Sequence, residues 1–204
     1  MDKQTEEILQ KIEEAEYVLV GLGQEFDMEF FLQSREDYRR IREQLQQQNV
    51  LWLLPYVEEH FRRQYLPEME AEIEKGLQKL AKVLEKKSYF VVSSSLNHKL
   101  AEVPWKKMLL KKERFVAPCG DWTKKQCPDG CEEGIQTVTE ADEEQLQESF
   151  KKLQTNGFSV PDLGKCPKCG KKLVLNNVYA GRYDEKGYLK TWTEYQNWLQ
   201  NTLN

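Results

Sequence analysis

The stretch KCPKCGKKL, residues 165–173, places two cysteines on either side of a two-residue spacer, with Gly170 directly after the second. Such a turn is a knuckle: it points both sulfurs toward one place, and the glycine lets backbone N–H groups approach the thiolates. One knuckle supplies only half of the ligands that a tetrahedral metal site needs. The sequence therefore predicts a second pair of ligands elsewhere in the chain.

A second turn, QCPDGC at residues 126–131, supplies the missing pair. The four predicted ligands are Cys127, Cys131, Cys166 and Cys169. Four thiolates from two turns form a closed structural zinc site, which has no open position for a catalytic water. We therefore predict an inserted zinc-binding module over residues 118–178; the alternative is four reduced cysteines without a metal.

The spacer between the two pairs is 34 residues long, which exceeds the spacing of a compact zinc ribbon. It contains an acidic segment, EADEEQLQESFKKL at 140–153, with apolar residues at helical intervals. Because Leu146, Phe150 and Leu153 share one helical face, we expect this insert to pack against the rest of the protein.

Composition limits the class of protein. The chain has 204 residues and a net charge of −4, and its 30 Lys and Arg residues are interspersed with 34 Asp and Glu, which argues against nucleic acid as the main partner. The charged start MDKQTEEILQKIEEAE contains no apolar leader, and no apolar run reaches the about 18 residues of a membrane span. Five cysteines without a secretion signal indicate metal ligands plus one spare thiol. We expect one soluble, cytoplasmic domain over residues 1–204.

Helical and strand patterns alternate in the first half of the chain. Helices are predicted over 5–15, over 28–48, from Pro55 and from Pro67 to Leu84. A buried strand is predicted at YVLVGLG (17–23), and further short strands at 89–92 and in RFVAPCGDW (114–122). This order predicts an α/β fold with a Rossmann-like parallel sheet and the zinc-binding module inserted in it.

The glycines after the first strand form one candidate binding turn. Gly21, Leu22 and Gly23 end that strand as glycines do at the first turn of a nucleotide-binding sheet. The position of a third glycine is occupied by Phe26, so a flexible turn without a ligand is the alternative.

Polar residues follow the strand at 89–92. They are Ser93, Ser94, Ser95, Asn97 and His98. The carboxyl ends of parallel strands are where such sheets bind ligands, so this segment is a second candidate; a serine-rich turn is the alternative.

The ordered set of segments resembles the sirtuin family of NAD-dependent protein deacylases. VLVGLGQEF (18–26) is similar to the Gly-Ala-Gly cofactor loop, VVSSSLNH (91–98) to the Thr-Gln-Asn-Ile-Asp segment, and APCGDW (117–122) to the His-Gly segment. CPKCGKKLVLNNVYAG (166–181) is similar to the second zinc knuckle and its continuation.

The resemblance implies a function. Sirtuins bind NAD between a Rossmann-like sheet and the zinc-bearing module, and transfer the ADP-ribosyl group to the oxygen of an acyl-lysine in a protein substrate. A histidine acts as general base. Related outcomes are ADP-ribosyl transfer to another acceptor and NAD hydrolysis. By resemblance, NAD contacts fall on Gly21, Leu22, Gly23, Ser93, Ser95 and Asn97.

The chain also departs from the family pattern. Cys119 stands where the catalytic histidine precedes the glycine, and Ser95 and Asn97 stand where the family has Asn and Asp. The family's Ala-Gly-x-Ser-x-x-Ser-Gly stretch has no counterpart after Gly23. Cys119 and His98 are the remaining candidates for a catalytic group, with a structural role as the alternative for His98. A catalytically inactive interaction module on the same scaffold is the alternative function.

The last segment, TWTEYQNWLQNTLN (191–204), predicts an amphipathic helix capped by Thr191 or Thr193. In sirtuins further strands follow this helix, so we expect either a truncated chain or an incomplete pocket. Without those strands, part of the sheet is uncovered, which favours a partner or self-association unless the helix packs over the sheet edge.

A basic helix is predicted near 104 to 112, within KKMLLKKERF (106–115). It leaves nucleic-acid binding as a third function, although such lysines are usually solvated.

Overall fold

The structure is a computed structural model that describes residues 3–102, 112–131 and 134–203. The basic helix predicted near 104 to 112 lies outside the described residues as far as 111, and residue 112 begins a short 3-10 turn, Lys112–Arg114. None of the described helices combines the length and the apolar character that crossing a bilayer requires.

Helices and strands alternate along the chain. The elements up to residue 102 are α1 (Lys3–Glu14), β1 (Tyr17–Leu22), α2 (Glu29–Leu32), α3 (Glu36–Gln47), α4 (Leu54–Tyr65), α5 (Pro67–Leu84), β2 (Ser88–Ser93) and α6 (99–102). Those after it are β3 (Phe115–Val116), β4 (Gly120–Gln126), β5 (Gln136–Thr137), α7 (Glu140–Gln154), β6 (Val174–Asn177) and α8 (Leu189–Leu203). The prolines predicted to begin helices do so in α4 and α5, where a missing N–H costs nothing.

The strands β1, β2 and β3, in that order, form a parallel sheet. Tyr17 pairs with Ser88 at one end of β1, and Leu22 pairs with Ser93 at the other. The carboxyl ends of β1 and β2 therefore lie side by side, and the prediction of a mixed α/β fold with a parallel sheet is confirmed.

Helices cover both faces of this sheet. Leu77 and Leu84 of α5 pack on the face that carries Tyr89 and Val91 of β2. On the other face, Trp198 of α8 packs against the strand residues Phe90 and Val116. The ring centroids of Trp198 and Phe90 are 5.9 Å apart. The C-terminal helix thus covers β2 and β3.

The prediction that β1 is a buried strand is wrong. Only its last residue, Leu22, is buried; the residues before it alternate between exposed and partly buried positions, and Tyr17 and Leu19 are 43% and 51% exposed. Among the described residues β1 pairs with β2 alone, so it is an edge strand, and α8 covers the other two strands instead of it. Apolar content by itself does not distinguish an edge strand from a central one.

A second sheet, antiparallel in the order β5-β4-β6, lies within residues 118–178, which were predicted to form the zinc-binding module. Its core is continuous with that of helices α3 and α4. Shared members include Ile41, Leu53, Phe61, Trp122, Phe150, Leu153 and Leu175. The acidic helix α7 packs into this core by Leu146, Phe150 and Leu153, as its pattern predicted.

Two helix predictions need correction. The single helix predicted over 28–48 is divided into α2 and α3, because Arg35 is extended (φ −90°, ψ 130°) and its guanidinium pairs with Asp37 in the first turn of α3. The last helix begins at Leu189, before either predicted cap. Thr193 instead donates its hydroxyl to the Leu189 carbonyl, 3.0 Å away, one turn inside the helix.

Candidate metal centre and ligand cleft

The four predicted cysteines lie together. Their sulfur atoms are all within 4.8 Å of one another, and the Sγ atoms of Cys127 and Cys169 are 3.5 Å apart. Zinc–sulfur bonds of about 2.3 Å in tetrahedral geometry separate the sulfurs by about 3.8 Å. The donor set and its spacing therefore fit a zinc ion.

Each knuckle is closed by a glycine in the left-handed region. Gly130 (φ 70°) donates its N–H to the Cys127 carbonyl, and Gly170 (φ 74°) donates to the Cys166 carbonyl at 2.9 Å. In addition, the N–H of Asp129 lies 3.4 Å from the sulfur of Cys127. Residues with a Cβ are strained at such φ values, so the two glycines are required by the turns.

The centre lies at the boundary between core and solvent. Cys127 and Cys166 are 1% and 2% exposed and belong to the largest core cluster, whereas Cys169 is exposed. An ion pair between Lys171 and Asp129, 2.7 Å, joins the two knuckles on the outside. Four protein thiols leave no position for a substrate, so this arrangement is suited to a structural metal.

A cleft lies at the carboxyl edge of the parallel sheet, beside the zinc-binding module. It encloses about 380 Å³ including the solvent at its mouth. Its lining residues are Gln24, Asp27, Glu29, Glu58, Ser94, Leu96, Cys119, Val178 and Tyr179. They come from the segments after β1, β2, β3 and β6 and from α2 and α4, so six separate parts of the chain meet here.

Asp27 organises the sheet edge of the cleft. Its Oδ1 accepts hydrogen bonds from the Ser95 hydroxyl at 2.5 Å and from the N–H groups of Leu96 at 2.8 Å and Asn97 at 3.1 Å. Burial raises the pKa of Asp27 although these donors oppose it. Ser95 and Asn97, predicted to contact NAD, therefore hold the loop after β2 in place. Ser93 is buried and accepts from the Ser95 N–H.

Glu58 is the most buried carboxyl group of the cleft. It is 3% exposed, and its Oε1 accepts a hydrogen bond of 2.6 Å from the Tyr38 hydroxyl. Burial raises the pKa of Glu58 to about 7, although Tyr38 and Arg62 favour its ionised form; Asp27 and Glu29 add to the increase. A carboxyl group in a cleft with such a pKa can both accept and donate a proton near neutral pH.

The raised pKa of Glu58 predicts how the free energy of unfolding depends on pH. The folded state binds the proton more tightly than the unfolded state, so this contribution is present below pH 4.5 and is lost as the pH rises toward 7. The loss amounts to about 3 kcal/mol. We expect Glu58→Gln to be more stable than wild type at pH 8 in urea unfolding. Equal stability of the two proteins at pH 5 and at pH 8 contradicts the prediction.

The predicted glycine turn is followed by a short 3-10 helix. Gly21 and Leu22 are the last residues of β1, and Gly23 precedes a 3-10 helix, Gln24–Asp27, and not a long α-helix. Gly23 is extended (φ −91°), and a Cβ at Gly21 meets no atom within 4 Å. Neither glycine is required by backbone conformation, and Gln24 is the residue of this turn that lines the cleft.

Cys119 lines the cleft in the turn between β3 and β4. Burial raises the pKa of its thiol, and the charge of Asp27 adds to the increase, so the thiol is protonated at neutral pH. A thiol in this state is a poor nucleophile and a poor base. Gly120, directly after it, has φ 70°, and a Cβ there would lie 2.3 Å from the Asn176 carbonyl oxygen, which explains the glycine.

His98 does not line the cleft. Its Nδ1 lies 2.6 Å from Glu59 and its Nε2 lies 3.5 Å from Glu102, and its ring packs edge-on against Trp122 at 4.9 Å. The chain's other histidine, His60, has its Nδ1 2.9 Å from the Tyr56 carbonyl oxygen. Neither histidine is among the lining residues, so the structural role, the alternative given for His98, agrees with these contacts.

Sequence reasoning missed Asp27, Glu58 and Tyr179. One signal was present: in NVLWLLPYVEEHF (49–61) two acidic residues interrupt an otherwise apolar helix. Acidic side chains on a buried helix face are rare without a partner or a function. Asp27 and Tyr179 carry no comparable signal, because their contacts come from distant segments.

No model of a known protein family matches this chain, and no curated protein is similar to it. The candidate site is therefore defined by the side chains that meet in the fold. They form two neighbouring features: a four-cysteine cluster that fits zinc and an acidic cleft beside it.

Proposed function

We propose that this protein binds NAD in the cleft and breaks the bond between nicotinamide and ribose, as its resemblance to sirtuins implies. One observation carries the proposal. The segments that resemble the family's cofactor loop, its polar strand tip and its His-Gly segment are far apart in sequence, yet Gln24, Ser94 and Cys119 from these three segments line one cleft. A Rossmann-like relation of the sheet to other nucleotide-binding sheets belongs to the same proposal.

The charge of the cleft suits this chemistry. Asp27, Glu29 and Glu58 line it, and the described lining contains no lysine or arginine. The nicotinamide ring of NAD is a pyridinium cation, and positive charge develops on the ribose as the ring leaves. Carboxylates placed beside such a centre stabilise the transition state. The nicotinamide end therefore belongs in the cleft, with the phosphates near the Gly21–Gly23 turn.

The zinc-binding module contributes a wall of the cleft. Val178 and Tyr179 follow β6, the strand that begins a few residues after the second knuckle. The N–H of Val178 donates to the Cys119 carbonyl at 3.0 Å, which joins the module to the turn after β3. Zinc, held by the four cysteines, would supply folding free energy to this wall and no chemistry in the cleft.

The acceptor of the ADP-ribosyl group is a separate part of the proposal. An acyl-lysine in a protein substrate is the acceptor that the resemblance implies, and water is the simplest one. Val178 is 45% exposed at the cleft and presents an apolar surface to an acyl chain.

A calorimetric titration of NAD into the zinc-loaded protein tests the proposal. A saturable heat with a dissociation constant in about the micromolar range supports it. A folded sample with one zinc per chain and no binding heat rejects it.

Gly21→Val is a suitable probe of the glycine turn, since a Cβ at this position meets no atom within 4 Å beyond its chain neighbours. If the phosphates lie against this turn, the added side chain is expected to weaken NAD binding by about tenfold or more. Zinc content and melting temperature should stay at wild-type values. Parallel loss of zinc and NAD would indicate misfolding and would count against this placement.

A second candidate function is an interaction module that keeps the scaffold without catalysis. The protonated thiol of Cys119 and the absence of histidine from the cleft lining favour it. So do the exposed side chains of Tyr17 and Leu19 on the edge strand β1, which offer a surface for a partner or a second copy. Sedimentation analysis that finds a dimer, together with no NAD binding, would select this function over the first.

A further inference from the structure

We propose that Glu58 is the proton acceptor of the reaction in the cleft, taking the place that a histidine has in the sirtuin pattern. This inference rests on the proposed function. It concerns the step in which an acceptor hydroxyl, with water as the simplest case, attacks C1′ of the nicotinamide ribose.

The position of Glu58 supports this role. It projects from α4 into the lining of the cleft that contains Cys119, and only 3% of the residue is exposed. The Tyr38 hydroxyl, 2.6 Å away, holds one carboxyl oxygen. A carboxyl group with one anchored oxygen is preorganised, which a proton acceptor in a closed site requires.

Charged and titratable groups surround Glu58 on several sides. Tyr38 of α3 and Arg62 of α4 favour its carboxylate form, whereas Asp27 of the 3-10 turn and Glu29 of α2 oppose it. Tyr179, which follows β6, has a raised pKa, caused mainly by burial and then by Glu58 and Glu29. Burial has the largest effect and, together with these charges, leaves the pKa of Glu58 at about 7, near the value at which a base is most effective at neutral pH.

The other groups of the cleft are less suited to the role. The thiol of Cys119 is protonated at neutral pH, and His98 lies outside the lining. Asp27 uses its Oδ1 to accept three hydrogen bonds from the loop after β2, so its first task is to hold that loop.

The proposed step balances as follows. The C1′–N bond breaks, and its electron pair stays on the ring nitrogen, so that nicotinamide leaves as a neutral molecule. The oxygen of water forms a bond to C1′, and its proton moves to the Glu58 carboxylate. Glu58 then releases this proton to solvent. The sum is NAD⁺ plus water giving ADP-ribose, nicotinamide and one proton.

The test compares nicotinamide release by zinc-loaded wild type, Glu58→Gln, Tyr38→Phe and the control Glu43→Gln, which alters an exposed position on α3. Glu58→Gln keeps an oxygen that can accept from Tyr38 but cannot take up the proton. We expect it to lower kcat/KM by about 100-fold or more, while the dissociation constant for NAD and the zinc content stay at wild-type values.

The pH profile separates a proton acceptor from a structural residue. In wild type, kcat/KM should rise with pH to a plateau, with an apparent pKa of about 7. This limb should disappear in Glu58→Gln. In Tyr38→Phe it should move to higher pH, because a hydrogen bond to the carboxylate is lost. Glu43→Gln should match wild type.

The remaining outcomes overturn the inference in distinguishable ways. If Glu58→Gln retains wild-type kcat/KM, Glu58 is not the proton acceptor and the proposed function stands. If Glu58→Gln no longer binds NAD, its role is in binding and the inference is wrong. If zinc-loaded wild type neither binds NAD nor releases nicotinamide, the proposed function fails and the role of Glu58 fails with it.

Discussion

Cys166→Ser is expected to release bound zinc and to unfold most of the protein. Zinc binding contributes about 10–16 kcal/mol to folding in zinc-finger peptides, which equals or exceeds the about 5–15 kcal/mol net stability of a typical domain. Cys166 is 2% exposed and belongs to the same core as helices α3 and α4. Loss of this ligand therefore affects a core that extends well beyond the knuckle.

Metal analysis and thermal unfolding check this prediction. We expect zinc content to fall from one per chain toward zero and the cooperative transition to be lost or to move to much lower temperature. Cys119→Ser is the matched control, since Cys119 is not one of the four clustered cysteines and lines the cleft instead. Retained zinc with an unchanged melting temperature in Cys166→Ser would reject a structural metal site.

Glu59→Gln should destabilise the protein by about 3 kcal/mol above pH 4.5, because the partners of this buried carboxylate lower its pKa to about 2. Glu59 is 1% exposed and lies where three parts of the fold meet. Its Oε2 accepts from the indole Nε1 of Trp122 in β4 at 2.5 Å and contacts His98 after β2, while its Oε1 pairs with Arg63. The variant leaves Arg63 without its counter-charge and removes the carboxylate that accepts from Trp122.

The same carboxylate predicts acid sensitivity. Burial opposes ionisation of Glu59, but His98, Arg63 and Trp122 outweigh it and lower its pKa to about 2. Because the folded pKa is depressed, its stabilisation is present above pH 4.5 and is lost as the pH falls toward 2. The full contribution is about 3 kcal/mol.

Urea unfolding at several pH values between 6 and 3 measures this dependence. Wild type should lose stability steeply over the lower part of the range, and Glu59→Gln should lack that component. Glu148→Gln, which removes an exposed ion pair with Lys152 on α7, is the control and should behave as wild type. If Glu59→Gln and wild type showed parallel pH dependence at equal stability, Glu59 would not join the three elements as described.

The four-cysteine cluster was the part of the candidate site best predicted from sequence, and the reason is local. A knuckle is defined by two cysteines and a left-handed glycine within a few residues, so its geometry is already contained in CPKCG and CPDGC. The tertiary fold is required only to bring the two knuckles together. The helices α4, α5 and α7 were predictable for the same reason, since proline starts and apolar stripes act within one or two turns.

The cleft residues were not predictable in this way, because their roles depend on long-range contacts. Asp27 meets Ser95 across 68 positions of sequence. Tyr38 reaches Glu58 from another helix, and the raised pKa of Glu58 follows from burial and from charges on neighbouring elements. The same holds for His98. Its polar segment predicted a ligand site, but its Nδ1 contacts Glu59 instead.

The sequence by itself determined the helices α4, α5 and α7, the strands β1 to β3, the set of four cysteines and the polar segments at the strand ends. Only the tertiary structure decided that β1 is an exposed edge, that Ser95 and Asn97 hold a loop, and that Glu58 is a buried carboxyl group in the cleft. Spacing within a turn or helix is set by local backbone geometry, which depends on residues that are close in sequence. Burial and electrostatic environment are sums over distant neighbours, and they exist only once the chain has folded.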